Sequence, residues 1–462
     1  MRPADPLPAK VDFEAWNAAF RGITAESCEA EAASSSPIET PGYLKTPRCF
    51  VELEGDSRLR SLSFDNSRAA YRLWSFLLSE NDRLAAARRA GKKIVGAMKD
   101  LGTAPVIAYS APGVVAFYPD GAWWIPCVME MNEGLLRIAD AAGYGEEVCP
   151  VRATLAAFLN RAHFPIPDLL VAAVGATCDD MSCLMQRLAD LGSPIVWWEL
   201  PYRRTDEASP DAIRFVAGQL DLVRRAVGDL AGRPITDDML SEGILKANCA
   251  RGLLARIRDL SYGVIPPPFP ALETQICEML TIHFCSDQDE CIRVLEEVLR
   301  TVEKRVAAGD GVLRADSCRV VWVNPVADLR AMNMFEDMGG ALAGTEYLLR
   351  HALVPIPEDR PPLVALAETA LRDPMIGTAG YRARIVIEEA RKYGAEGVIV
   401  SAIPGASHCA TEGLIIRQEV LSALDLPVLE IVVPPLIDAS VGQLATRFEG
   451  FFDIIRSRRH RA

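Results

Sequence analysis

The 462-residue sequence predicts an α/β protein: two blocks of parallel sheet plus a helical region. Three observations carry that prediction. From Lys92 onward, short apolar runs rich in β-branched residues alternate with segments of helical period. The stretch from Ala208 to Tyr262 then holds no strand signal. A second alternating block opens at Arg319. The chain is too long for one compact core, so two or three domains are expected.

Residues 1–90 are expected to be a helical, partly disordered extension. Glu29–Thr40 is a low-complexity run of Ala, Ser and Glu, while Ala69–Ala90 has apolar residues at helical spacing and ends on the basic pair Arg88 and Arg89. Residues 91–207 follow as the first α/β domain. Strands are expected at Ile94–Met98, Val114–Tyr118, Leu169–Val174 and Ile195–Leu200, with helices at Val151–Asn160 and Met181–Asp190. Continuously apolar strands of this kind are those buried on both faces of a parallel sheet. Residues 208–310 form the helical region. Thr236 before Asp237 and Asp238 has the chemistry of an N-cap with an acidic first turn, and Met239–Leu260 continues at helical period. Pro266, Pro267 and Pro268 close that helix, and Gln288–Ala308 is another. Residues 311–462 repeat the alternation, with strands at Val320–Val323, Gly397–Ile403 and Val428–Val433 and helices at Ile385–Tyr393 and Leu414–Ala423.

Composition excludes several functions. A net charge of −13 repels polyanions, which argues against nucleic acid and against acidic membrane surfaces. No apolar run is long enough to span a bilayer, and Met1–Ala9 lacks the basic-then-apolar order of a secretory signal, so a cytoplasmic location is expected. The sequence has no GxxxxGK[ST] loop and no GxGxxG after a strand. Asp100-Leu-Gly-Thr103 is only a faint echo of a kinase-type phosphate loop, so ATP hydrolysis is expected to belong to another chain.

The cysteines hold the chemistry. There are twelve, none in a CxxC pair, which removes the zinc-ribbon and thioredoxin readings. Cys149 precedes Pro150, a residue favoured at the first position of a helix. Cys178 follows the strand Leu169–Val174 and precedes Asp179, Asp180 and a helical pattern. Cys409 follows the strand Gly397–Ile403 through a turn with Pro404 and Gly405, ahead of the helix containing Leu414. Helix N-termini favour the thiolate, which ligates soft metals and iron–sulfur clusters, and open parallel sheets place ligands at the carboxyl ends of their strands. On pattern alone, a shared metal site and buried structural cysteines both remain open.

The stretches around these residues resemble the 2-hydroxyacyl-CoA dehydratase and benzoyl-CoA reductase subunit family, the 2-hydroxyglutaryl-CoA dehydratase D-component family among them. The similar segments run from Cys149 to Phe158, from Phe164 to Asp179, from Pro194 to Pro201, from Ile235 to Leu240 and from Arg447 to Phe452. The resemblance implies two Rossmann-like domains plus helices, and a [4Fe-4S] cluster on Cys149, Cys178 and Cys409 with one iron open to water or substrate. It implies a homologous partner subunit in a heterodimer or heterotetramer, and a separate ATP-hydrolysing activator as electron donor. The implied reaction is single-electron radical chemistry on an acyl-CoA thioester, ending in dehydration or reduction. The aromatic stretch Ala111–Pro126, Cys127 and the long N-terminal extension depart from the family pattern. Two alternatives stay open: a double-cubane-cluster reductase of small molecules and a non-catalytic, cluster-binding scaffold subunit.

Several other residues have two readings each. Cys183 either approaches the cluster or packs in a core; Cys127, Cys277, Cys285, Cys291 and Cys318 either supply a second ligand set or pack likewise. Cys28, Cys49 and Cys249 read as ordinary packing. His408 either moves protons beside Cys409 or caps a helix, and Glu199 is either an acid–base group or a solvated strand end. Arg203 and Arg204 either meet a CoA phosphate or belong to a charged loop.

Overall fold

The protein is described by a computed structural model covering residues 6–19, 59–98, 102–120, 131–161, 164–175, 178–324, 328–346 and 353–461; at 131–133, 281–283 and 407–410 the description is of backbone alone. At the N-terminal side, β1 (Lys10–Asp12) pairs antiparallel with β2 (Ser63–Asp65), followed by α1 (Arg68–Leu78) and α2 (Glu80–Arg89). The single helix expected over Ala69–Ala90 is therefore two. Ser79 breaks it: its hydroxyl bonds back to the carbonyl of Ser75 at 2.6 Å and accepts from Arg83 Nη1 at 2.9 Å. Such back-bonding competes with the helical ladder. The described residues of this part pack into the core. Trp16, Phe64 and Trp74 are all sealed from solvent, with Trp16 stacked on Phe64 at 4.5 Å between ring centroids. Side chains of this size each contribute about 1.5–3 kcal/mol on burial.

The first sheet follows: β3 (Lys93–Met98), α3 (Ala104–Ser110), β4 (Val114–Phe117), α4 (Met131–Ala141), α5 (Ala153–Asn160), β5 (Leu169–Gly175), α6 (Asp179–Asp190) and β6 (Ile195–Leu200). All its pairings are parallel, in the order β4-β3-β5-β6. Between the sheets run α7 (Pro210–Ala231), α8 (Asp237–Gly263), α9 (Ala271–His283) and α10 (Gln288–Ala308). Their starts obey capping chemistry: Ser209 Oγ accepts from Ala212 N, and Thr236 Oγ1 accepts from Met239 N at 3.3 Å.

The second sheet comprises β7 (Cys318–Val323), α11 (Arg330–Asp337), β8 (Gly340–Glu346), α12 (Pro362–Leu371), α13 (Ala379–Tyr393), β9 (Gly397–Ala402), α14 (Ser407–Leu424) and β10 (Val428–Val432), closed by α15 (Val441–Arg459). It is also parallel throughout, in the order β8-β7-β9-β10. The two sheets thus share one topology. In each, the first strand lies between the second and the third, so the chain reverses direction across the sheet beside the third strand. That reversal is where ligands bind in open α/β sheets. Cys178 follows the third strand of the first sheet, and Cys409 follows the third strand of the second.

One core cluster runs from Phe13 to Ala406, uniting the N-terminal elements, the first sheet and the middle helices. The second sheet is covered on one face by Phe335, Phe448 and Phe452 around Trp322, and on the other by Val386, Ile416 and Val420. Among the described residues, no helix is long and apolar enough to cross a membrane.

Candidate functional site

Cys149 lies in the connection between β4 and β5, in an extended conformation that caps a single 3-10 turn, Pro150–Arg152, running into α5. Its carbonyl accepts from Arg152 N at 2.9 Å. Arg152 is buried and braces the same loop, with Nη1 on Val148 O at 2.9 Å and Nε on Asp140 Oδ1 at 3.2 Å. Cys178 is the N-cap of the twelve-residue α6. Gly175, three residues earlier, has φ +102°, and a Cβ there would stand 2.4 Å from the carbonyl oxygen of Leu200. Only glycine lets β5 end so close against β6 and turn toward Cys178.

Two contacts bring three chain segments to one place. The N–H of Cys149 donates to Asp180 Oδ2 at 3.3 Å, and Asp180 sits in the first turn of the helix that Cys178 caps. Gly405, at φ +79°, packs so tightly that a Cβ would lie 2.6 Å from Val148 C and O and 2.9 Å from Cys149 N. Four residues on is Cys409. The Cys409 segment therefore reaches the Cys149 loop by backbone contact, across the carboxyl ends of both sheets. Cys409 lies within the first turn of α14, which begins at Ser407, rather than ahead of that helix. The side chains of Cys409 and His408 lie outside the described residues, as do Cys28, Cys49, Cys127 and Asp100.

A buried polar network supports α14. Arg382 of α13 is fully enclosed and grips Glu346, the last residue of β8, through Nε–Oε1 at 3.0 Å and Nη2–Oε2 at 2.6 Å. Its Nη2 also donates to Asn324 Oδ1 at 2.7 Å, just past β7, and its Nη1 to Glu412 Oε2 at 2.7 Å, three residues beyond Cys409. One guanidinium thus ties the carboxyl ends of two strands to the helix bearing the third cysteine. The sequence offers no local clue to this cluster, whose members lie 30 to 58 residues from Arg382.

The remaining cysteines are placed elsewhere. Cys277, Cys285 and Cys291 are buried in the core around α9 and α10, and burial pushes the Cys277 and Cys291 thiols well above their ordinary pKa, which suits packing rather than ligation. Cys318 opens β7 at the amino end of the second sheet, with its thiol raised by burial. Cys183 on α6 and Cys249 on α8 are exposed. Cys149 and Cys178, by contrast, are half-buried at helix starts. Among the described residues no three His, Cys, Asp or Glu side chains gather to hold a metal. Glu199 is exposed on the edge strand β6, its backbone N–H donating to Gln219 Oε1 at 3.0 Å. Arg204 is exposed, whereas Arg203 is buried.

Residues 103–455 match the family described as 2-hydroxyglutaryl-CoA dehydratase, D-component. The chain belongs to this family. It is accordingly a component of the 2-hydroxyacyl-CoA dehydratase type, and the matched region takes in the second sheet, all of the first sheet except β3, and every segment that meets at Cys149. No curated protein matches the chain.

Proposed function

We propose that this D-component homologue is an iron–sulfur subunit of a 2-hydroxyacyl-CoA dehydratase or benzoyl-CoA reductase-type enzyme, with Cys149, Cys178 and Cys409 as the ligands of a [4Fe-4S] cluster. The observation that carries the reading is the convergence at Cys149: Asp180 ties it to the Cys178 helix, and Gly405 seats the Cys409 segment against its backbone. The donor set fits the group. Two half-buried thiols stand at helix starts, where the dipole favours thiolate, while the deeply buried thiols of the core are unsuited. A bound cluster would supply single-electron transfer to an acyl-CoA thioester, with electrons from a separate ATP-hydrolysing activator.

The residues of this chain have their own tasks in that scheme. Asp180 and Gly405 fix the spacing of the loops. Arg382 anchors α14 through Glu412, so the Cys409 turn is held from behind by a partly buried ion pair whose guanidinium is itself fixed by the buried Glu346. His408 and Glu199 are the candidates for moving protons. A homologous partner subunit and a cytoplasmic setting belong to the same proposal. The test is anaerobic turnover of 2-hydroxyacyl-CoA thioesters with a partner subunit and an activator present. Turnover that needs ATP and disappears in Cys178→Ala supports the reading; ATP-independent turnover that survives this substitution contradicts it.

A further inference from the structure

Arg203 lies three residues past the carboxyl end of β6, where the 201–207 segment meets residues 374–384 of the second block. Its relative exposure is 5 %. The backbone N–H donates to Ile376 O at 2.7 Å. The guanidinium lies 4.3 Å from the centroid of the Tyr381 ring, and Nη1 donates to Thr205 O at 2.7 Å and to Asp206 O. Nε and Nη2 are buried and have no hydrogen-bond partner among the described residues. These two nitrogens form one edge of the guanidinium plane. It is the edge that takes two oxygens of a carboxylate or phosphate side by side. Folded proteins rarely bury such donors without an acceptor.

The surroundings of that edge suit an anion. Gly377 has no side chain where a Cβ would stand 2.9 Å from Arg203 Nη2, 3.2 Å from Tyr381 Cδ1 and 3.4 Å from Pro374 O. Only a residue without a side chain lets this backbone lie so close to the open edge, so the edge is packed over by Gly377. The next residue, Thr378, is the N-cap of the fifteen-residue α13. Its Oγ1 accepts from Tyr381 N at 3.2 Å, while the other early N–H groups of a helix have no acceptor within it and carry the positive end of its dipole. The other nearby guanidinium, Arg384, is paired with Asp206, whereas Arg203 has no ion pair among the described residues.

We infer that the Nε–Nη2 edge of Arg203, with the side-chain-free backbone of Gly377 and the first turn of α13, is a receptor for an oxyanion group of the ligand once the covering segments separate. The identity of that ligand rests on the acyl-CoA reading above. An acyl-CoA offers the required chemistry from two sources: the phosphates of its nucleotide, and a free carboxylate when the acyl chain is a dicarboxylate. The edge is covered in this state, so the anion enters as the 201–207 segment parts from residues 374–384. The bonds that yield are Arg203 N to Ile376 O and the Arg384–Asp206 pair.

The test is calorimetric titration of the full chain with CoA, glutarate and inorganic phosphate, for wild type, Arg203→Gln, Arg203→Lys and Gly377→Ala, with thermal melts confirming that each is folded. Wild type is expected to bind at least one probe. Arg203→Gln and Gly377→Ala each weaken that binding by roughly tenfold or more, and Arg203→Lys restores only part, because an ammonium lacks the planar fork. Loss confined to CoA and phosphate assigns the site to the nucleotide; loss confined to glutarate assigns it to an acyl carboxylate. Arg203-dependent binding of glutarate or phosphate without any binding of CoA keeps the receptor and removes the acyl-CoA reading. CoA binding that is equal in wild type and the folded variants keeps that reading and removes the receptor. A wild type that binds none of the probes also overturns it.

Discussion

At the scale of single residues, the site depends on backbone positions that tolerate no other side chain. Gly405 combines a left-handed φ of +79° with carbonyl and amide atoms less than 3 Å from where a Cβ would stand. We expect Gly405→Ala to lower stability by about 1–3 kcal/mol in denaturant titration, because it adds strain and pushes the Cys149 loop away. Asp180→Ala removes the acceptor for the Cys149 N–H, and its global cost is expected to be only about 1 kcal/mol. The loop would nevertheless lose its tie to α6, so protection of the Cys149 amide from hydrogen exchange should fall while the core amides keep theirs. Unchanged exchange at Cys149 would remove Asp180 from the account. The cysteines themselves were legible as helix-start residues in the sequence, but their pairing was not. Asp180 lies 31 residues from Cys149 and Gly405 more than 250, and no local pattern encodes either contact.

At the scale of elements, the readable parts were those whose physics is local. Gln288–Ala308 and Ile195–Leu200 fall at the expected residues, since each has a clear period and marked ends. The strand β8 escaped because Gly340-Ala-Leu-Ala-Gly-Thr-Glu346 contains almost no β-branched side chain; it is a strand because β7, α11 and α13 bury all seven residues. The helices α9 and α12 were missed for the related reason that both are enclosed, so no polar face marks their period. Arg382 belongs to this scale because it joins elements. Arg382→Gln would leave Glu346 buried without its partner, at a cost of about 3–5 kcal/mol measured by chemical denaturation. A cost below about 1 kcal/mol would show that α14 is held by other contacts.

At the scale of the whole molecule, the N-terminal elements are tied to the middle helices by a buried carboxyl. Glu273 of α9 accepts from Asp65 N at 2.9 Å and from Trp74 Nε1 at 3.2 Å, joining β2 and α1 to the centre. Burial, and then the neighbouring Asp65, push its carboxyl up to about 8. The folded state therefore holds a proton that the unfolded chain releases near the ordinary value of 4.5. Stability is fully present below about 4.5 and is lost as pH rises toward 8, by on the order of 2–4 kcal/mol. Glu273→Gln should flatten that slope in denaturation measured from pH 5 to 8; an unaltered slope would place the proton elsewhere. The α/β class and the two-block alternation were visible in the sequence, whereas this union of the extension with the core was not, because it rests on aromatic contacts between distant segments. On the proposed reading, the three segments meeting at the strand ends form one ligand set. It is tested most directly by quantifying iron and acid-labile sulfide in anaerobically purified wild type, Cys149→Ala, Cys178→Ala and Cys409→Ala. About four irons per chain are expected in wild type, lost in each variant. A folded wild type without iron, or three variants that keep it in full, would contradict the claim.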